Sequence, residues 1–436
     1  MTTIEEVYRA RTPRSAALHE EARCIFPSGA TRSVTLFQPY PVYIASGRGC
    51  RVVDVDFNEY LDVQNNFGSM IHGHAHPAIV GAVSAQATRG TDFGSPTELH
   101  LKLAREIASR LPSIQRLRFT TSGTEAVMYA VRAARAFTGR SKILKFEGSY
   151  HGGYDSVSVS VDPGPNAPAW PKGIVGSSGL PPEVEAETLV APFNDVEAAE
   201  RILRSHRGEI AAVIVEPVTV RGMIPAEPTF LVGLHDLTRE LGILLIFDEV
   251  VTFRLGVAGA QGLVGVTPDL TTLGKVIGGG LPVGAFGGRE DVMAAFDPSH
   301  RAPVHHSGTF AGNAATMAAG LAALELLTPV AISELNRLGA SLRGALSHAL
   351  DLVGVTAQVT GAGSLASVHF TREPVTDYRS ALRADRARGA QMHLALLNRG
   401  IYARAGSSFF LSTPMTEQEI SDIANAFRES LIECAS

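Results

Sequence analysis

From residue 79 onward, short apolar runs alternate with stretches of helical periodicity. The runs cover 117–120, 143–146, 211–215, 243–247 and 270–273. They are continuously apolar or β-branched rather than alternating, and helix-length sequence separates them. This pattern predicts an α/β protein whose mostly parallel central sheet is flanked by helices on both faces. Ahead of them, residues 5–24 predict one polar helix, ended by Pro27, Ser28 and Gly29, and residues 52–61 predict a hairpin turning at Asp56-Phe57-Asn58-Glu59. Residues 162–185, rich in Pro and Gly and holding the only tryptophan, Trp170, predict a long surface loop over or beside a site. Beyond Thr328 the pattern changes to a helix, strands near 357–370 and a closing helix from Glu417. The expected organisation is an N-terminal segment (1–62) joining a smaller α+β domain, a large domain (63–327), and the C-terminal part of the small domain (328–436).

A chain of 436 residues is long enough for two domains. Charged residues make up 19% against about 25% in typical proteins, which leaves room for a large core and an extensive subunit interface. The net charge of −5 lacks the basic excess that a nucleic-acid or anionic-membrane partner would require. Cys24, Cys50 and Cys434 are widely spaced, without a CxxC pair, and read as reduced thiols rather than a disulfide or zinc framework. The first residues lack the basic and apolar regions of a secretory signal, and the run 241–247 is far short of the roughly 20 residues that cross a bilayer. The expectation is a soluble cytoplasmic protein.

The chemistry concentrates where the apolar runs end. Asp248 closes the run 243–247, and Lys275 follows the run 270–273. A lysine amine forms a Schiff base with an aldehyde, and a carboxylate at a buried strand end keeps a pyridinium nitrogen protonated. Together they point to pyridoxal phosphate (PLP). Ser122-Gly123-Thr124 opens a helix periodic through Val127, Ala130, Val131 and Ala134. It reads as an ordinary N-cap when taken alone, and as a phosphate cradle in this company. Tyr150, beyond the run 143–146, is placed to stack on a planar ring. His151 either flanks that ring or satisfies a backbone carbonyl, and Glu216 ends the run 211–215. Ligands of open α/β sheets bind at the carboxyl ends of strands, so these groups converge on one rim. Residues 305–313 start a further helix and offer another phosphate contact across a subunit boundary. His72, His74 and His76 alternate as metal ligands can, but no Cys, Asp or Glu accompanies them in sequence, and a metal is not expected. The glycines of 278–288 do not lead from a strand into a long helix and are broken by Pro282. A dinucleotide site is therefore not implied, and they read as backbone passing close to the lysine loop.

Over almost its whole length the chain resembles the class III, fold-type I PLP-dependent aminotransferases, nearest the branch of glutamate-1-semialdehyde aminomutase and the β-amino-acid aminotransferases. The resemblance is carried by Gly73-His-Ala-His-Pro77, Ser122-Gly-Thr-Glu-Ala126, Tyr150-His-Gly152, Asp248-Glu-Val250, Asp269-Leu-Thr-Thr-Leu-Gly-Lys275, Gly278-Gly-Gly-Leu-Pro-Val-Gly284 and Gly308-Thr309. It implies that Lys275 bonds the cofactor aldehyde and Asp248 pairs with the pyridine nitrogen. Ser122, Gly123 and Thr124 would hold the phosphate, with Thr309 reaching it from the neighbouring subunit of a homodimer with shared active sites. Tyr150 and Val250 would face the two sides of the ring. The aminomutases carry Ser-Pro-Val-Arg where this chain has Gly29-Ala-Thr-Arg32-Ser-Val-Thr, with the arginine three places earlier. Asp248-Glu-Val-Val-Thr-Phe-Arg254 is one residue shorter than their segment, and 402–409 lacks their acid. The first two departures match β-phenylalanine-type aminotransferases, in which an arginine at the place of Arg32 grips a carboxylate. Their second arginine lies two places beyond Arg404, where Gly406 stands. The expected reaction is amino transfer from a β-amino acid to a keto acid such as 2-oxoglutarate or pyruvate, with Arg32 and Arg404 as substrate residues. The alternative is the intramolecular aminomutase.

Overall fold

The computed structural model describes residues 3–300, 302–405 and 408–435, which form two compact units. The larger comprises Pro77–Asn336 and Pro374–Arg383; the smaller comprises Met1–His76, Arg337–Glu373 and Ala384–Ser436. These divisions fall after His76 and Asn336, where the sequence placed them after residues 62 and 327. Residues 63–76 stay with the smaller unit because their backbone is bonded there: Phe410 N–H donates to the Val63 carbonyl and His74 exchanges bonds with Gly49. Pro374–Arg383 leaves the C-terminal segment and joins the larger unit through side chains of its short helix Tyr378–Ala381. Arg379 binds Glu147 and Tyr378 binds Asp162.

The larger unit is built on seven strands in the order Arg116–Thr120, Gly284–Gly288, Leu270–Gly274, Leu244–Asp248, Ile210–Val215, Lys142–Phe146, Thr188–Ala191. Gly284–Gly288 runs antiparallel to both neighbours and the other pairings are parallel. The apolar runs are continuous because both faces are covered. Along Leu244–Asp248, Leu244 and Ile246 pack on one side with Ala130 and Ala134 of the helix Gly123–Thr138. Leu245 and Phe247 pack on the other with Phe230 and Leu234 of the helix Pro228–Leu241. Each such side chain contributes roughly 1.5–3 kcal/mol on burial. The five expected strands are present within a residue or two. Thr188–Ala191 and Gly284–Gly288 were not foreseen. The latter hides in a glycine-rich stretch, where glycines permit close approach: a Cβ on Gly284 would lie 2.0 Å from the Ser122 carbonyl oxygen.

In the smaller unit, Ile44–Arg48, Arg51–Asp54, Glu59–Asp62 and Ile401–Tyr402 form one sheet, and Gln358–Thr360, Leu365–His369 and Ser408–Phe410 another. The single polar helix expected at the start is two, Ile4–Arg11 and Pro13–Arg23. Pro13 has no N–H to continue the first helix and opens the second instead. Among the described residues no single helix is long and apolar enough to cross a membrane.

Candidate active site

The parallel strands of the larger unit end on one edge of the sheet, and their exits carry the candidate groups. Asp248 is buried at the end of Leu244–Asp248. Its Oδ1 accepts from Thr272 Oγ1 and from the Val250 N–H, each at 3.1 Å, and its Oδ2 accepts from His151 Nδ1 at 2.8 Å. His151 does not satisfy a backbone carbonyl through Nδ1; it orients the Asp248 carboxylate. Burial pulls its imidazole below the ordinary range, against the pull of Asp248. Its Nε2 is buried and unpartnered.

Lys275 follows Leu270–Gly274 in the left-handed backbone region, at φ +48°. A side chain there costs about 1–3 kcal/mol, tolerated where the surroundings over-determine it. The surroundings here include Val250, whose methyls lie 3.1 and 3.3 Å from where a Cβ on Gly123 would be and 3.4 Å from one on Gly274. Val250 thus lies against both the residue before the lysine and the start of the helix Gly123–Thr138, and a Cβ on Gly274 would also come 3.6 Å from Gly123 Cα. A side chain at Gly123 would press on Val250, whereas a Cβ at Gly274 would meet it at ordinary contact distance.

At that helix start Ser122 is the N-cap, its Oγ accepting from the Glu125 N–H at 3.2 Å. The N–H groups of Gly123 and Thr124 have no intrahelical acceptor, and the positive end of the helix dipole lies there. Gly152 (φ +90°) comes so close to Thr124 that a Cβ would sit 2.4 Å from its Oγ1, which accepts from Gly153 N–H at 3.2 Å. The strand exit carrying Tyr150 and the phosphate-cradle candidate are thereby joined.

Tyr150 is 46% exposed, directly before the fully buried His151. Glu216 is buried, accepting from Tyr150 N–H through Oε2 and from Val220 N–H through Oε1, each at 2.9 Å. Burial, with Asp248 nearby, raises its carboxyl above the ordinary range, and the two N–H groups and Lys145 oppose that. Thr309 is exposed on the segment before the helix Ala314–Leu326.

Arg32 and Arg404 belong to the smaller unit. Both guanidinium carbons lie 5.6 Å from the ring centroid of Phe67, and Arg32 also reaches Asn66 Oδ1 at 3.4 Å. Asn65, Asn66 and Phe67 are three consecutive side chains at positive φ, a strained platform for the two cations. Gly406 lies outside the described residues. Of the three alternating histidines, His74 meets an acid after all, Asp62 Oδ2 at 2.7 Å, and His72 Nδ1 is 3.0 Å from Thr413 Oγ1. Among the described residues no cluster suited to a metal occurs.

The sequence pattern of the family described as "Aminotransferase class-III" matches residues 35–429. The chain belongs to the class III aminotransferases. Glutamate-1-semialdehyde 2,1-aminomutase of Roseiflexus castenholzii is 44% identical over 430 residues, 96% of this chain and 98% of that one. An omega-transaminase from Sphaerobacter thermophilus superposes with a TM-score of 0.95 at 44% identity, covering 99% of this chain and 100% of that one. For a β-phenylalanine aminotransferase from Variovorax paradoxus the values are 0.88 and 38%, covering 98% and 96%. The fold is therefore that of the fold-type I PLP enzymes, and the protein is an enzyme of the transaminase and aminomutase type with PLP as its cofactor.

The residues present fit PLP. A helix start with unpaired N–H groups and hydroxyls suits a dianionic phosphate, a buried carboxylate braced by an imidazole suits a pyridinium, and a lysine amine suits an aldehyde. Three participants escaped the reading of the sequence. Thr272 left no distinct signal. Arg379 is remote in sequence from everything it touches. Lys145 did leave one: it is a charge within an apolar run that is buried on both faces.

Proposed function

We propose that this protein moves an amino group between a carboxylate-bearing amine and a carbonyl compound, with Lys275 as the residue that bonds the cofactor. The observation that carries this reading is Lys275 in a left-handed conformation at one strand exit, next to the strand whose exit bears Asp248 bound to His151. Bound PLP supplies an electron sink for the carbon that bears the amine. In this proposal Ser122, Gly123 and Thr124 bind the phosphate. Asp248, braced by His151 and Thr272, keeps a proton on the ring nitrogen. Tyr150 and Val250 orient the ring from its two sides, and Glu216 supports Tyr150 through its N–H. With the cofactor bound, Lys275 Nζ would move the proton from the amine-bearing carbon to the cofactor. Arg32 and Arg404 take substrate carboxylates. A second copy of the chain would cover apolar residues that the larger unit exposes (Val80, Phe93, Leu101 and Phe310) and would present Thr309 to its neighbour's phosphate. Three unpaired thiols are in keeping with a reducing cytoplasm.

Two specific reactions fit. The names of the curated relatives favour the intramolecular one, glutamate-1-semialdehyde 2,1-aminomutase, over the two-substrate transaminase that the sequence motifs put first. The transaminase reading, with a β-amino acid donor, keeps specific support: the shortened segment 248–254, the lack of an acid at 402–409, and likeness to the Sphaerobacter and Variovorax enzymes. Borohydride reduction of the holoenzyme followed by peptide mapping is expected to place a pyridoxyl adduct on Lys275; an adduct on another lysine refutes the assignment. Dialysed enzyme is then offered glutamate-1-semialdehyde alone, or β-phenylalanine with and without 2-oxoglutarate or pyruvate. Turnover of the first identifies the aminomutase. Strict dependence on a keto acid identifies the transaminase.

A further inference from the structure

Lys145 is buried completely on the strand Lys142–Phe146, where an ammonium is costly unless it is compensated. Its Nζ donates to the Ser149 carbonyl at 3.1 Å and to the Val159 carbonyl at 2.6 Å. The peptide bond that begins with the Ser149 carbonyl ends with the Tyr150 N–H, and that N–H donates to Glu216 Oε2 at 2.9 Å. A buried cation and a buried carboxylate therefore grip opposite ends of a single peptide unit. Across a trans peptide the C=O and N–H point in opposite directions, so the bond's dipole lies in line between the charges. Ser149 closes the turn further, its Oγ and N–H both donating to the Phe146 carbonyl. The next two side chains are Tyr150, which faces outward, and His151, which is committed to Asp248.

We propose that Lys145 is a positioning residue for the cofactor ring: with Glu216 it clamps the 149–150 peptide and so sets the plane of Tyr150. This rests on the reading of Tyr150 as the residue that stacks on PLP. Burial draws the Lys145 amine below its ordinary range, Arg221 adding to the fall and Glu216 and Glu147 offsetting only part of it, so the two carbonyl contacts are what hold the amine in place. A lysine serving the fold alone would affect stability. One acting through Tyr150 must lose its influence on PLP when Tyr150 is absent.

The test is a double-mutant cycle read as the PLP dissociation constant, by equilibrium dialysis, and as the near-ultraviolet circular dichroism of the bound cofactor. Lys145→Met is expected to weaken PLP binding about tenfold in the otherwise native chain and less than twofold in a Tyr150→Ala background, and to diminish the cofactor's dichroic band. If Lys145→Met alone folds poorly, Lys145→Met with Glu216→Gln removes both charges together and enters the same cycle. There the melting temperature of the apo form is expected to recover while PLP affinity stays low. Equal losses with and without Tyr150, or an unchanged dissociation constant, overturn the proposal. A Tyr150→Ala variant that binds PLP as the native protein does overturns the reading of Tyr150 on which it rests.

Discussion

Burial pulls His151, His306 and His393 below the ordinary imidazole range, and His393 has no hydrogen-bond partner to resist it. His393 is fully buried on the helix Arg386–Asn398, with neither ring nitrogen hydrogen-bonded and Phe37 edge-on at 4.5 Å. Desolvation pulls it down to about 4. The unfolded chain takes up this proton near pH 6.5, and the folded chain does so only near 4. Stability from His393 is therefore complete above pH 6.5 and is lost as the pH falls towards 4. Urea melts of the native protein and of His393→Leu at pH 7.5 and 4.5 should show the native protein losing roughly 2–3 kcal/mol more over that interval. Equal losses would mean that His393 titrates normally. In the sequence this histidine sits among Met392, Leu394 and Ala395 on what reads as a core face, but the lack of any partner is a property of packing alone.

Where elements meet in the candidate site, Gly152 comes close to Thr124. Its φ of +90° excludes a side chain without strain, and a Cβ would overlap Thr124 Oγ1. Gly152→Ala should destabilise the larger unit by about 2–4 kcal/mol, combining left-handed strain with displacement of a helix start. Weaker PLP binding should accompany it. Thermal melts of the apo form, together with PLP titration, check both effects. An unchanged melting temperature would show that the turn has room to spare. The strands holding these residues were readable as continuous apolar runs, because burial on both faces leaves that mark. The antiparallel strand Gly284–Gly288 left no such mark, since its glycines answer to neighbouring backbone and not to a hydrophobic pattern.

On the scale of the molecule, the chain returns to the larger unit at Pro374–Arg383 after leaving it. Arg379 binds both oxygens of Glu147, at 2.7 and 3.0 Å, and covers Trp170 at 4.0 Å, so one side chain ties this excursion to a strand exit and to the loop 162–185. Exposed Lys172 lies two residues past Trp170. Arg379→Ala should speed tryptic cleavage at Lys172 about five- to tenfold, as expected from losing a cation–π contact and a partly buried ion pair. An unchanged rate would mean that the loop is held by other contacts. The proposed second copy predicts that Val80→Asp with Leu101→Asp shifts the protein from dimer to monomer in sedimentation velocity. A monomeric native protein would remove the basis for Thr309 acting across subunits.

Five of the seven strands of the larger unit, and Lys275, Asp248 and the helix start at Ser122 as candidates, were legible in the sequence alone, because periodicity and strand-end chemistry are local in the chain. Tertiary structure alone decided that His151 serves Asp248, that Val250 lies against Gly123 and Gly274, that Pro374–Arg383 belongs with the larger unit, and that Lys145 and Glu216 share one peptide. These depend on which strand exits become neighbours, and thus on contacts between residues far apart in sequence that no local pattern encodes.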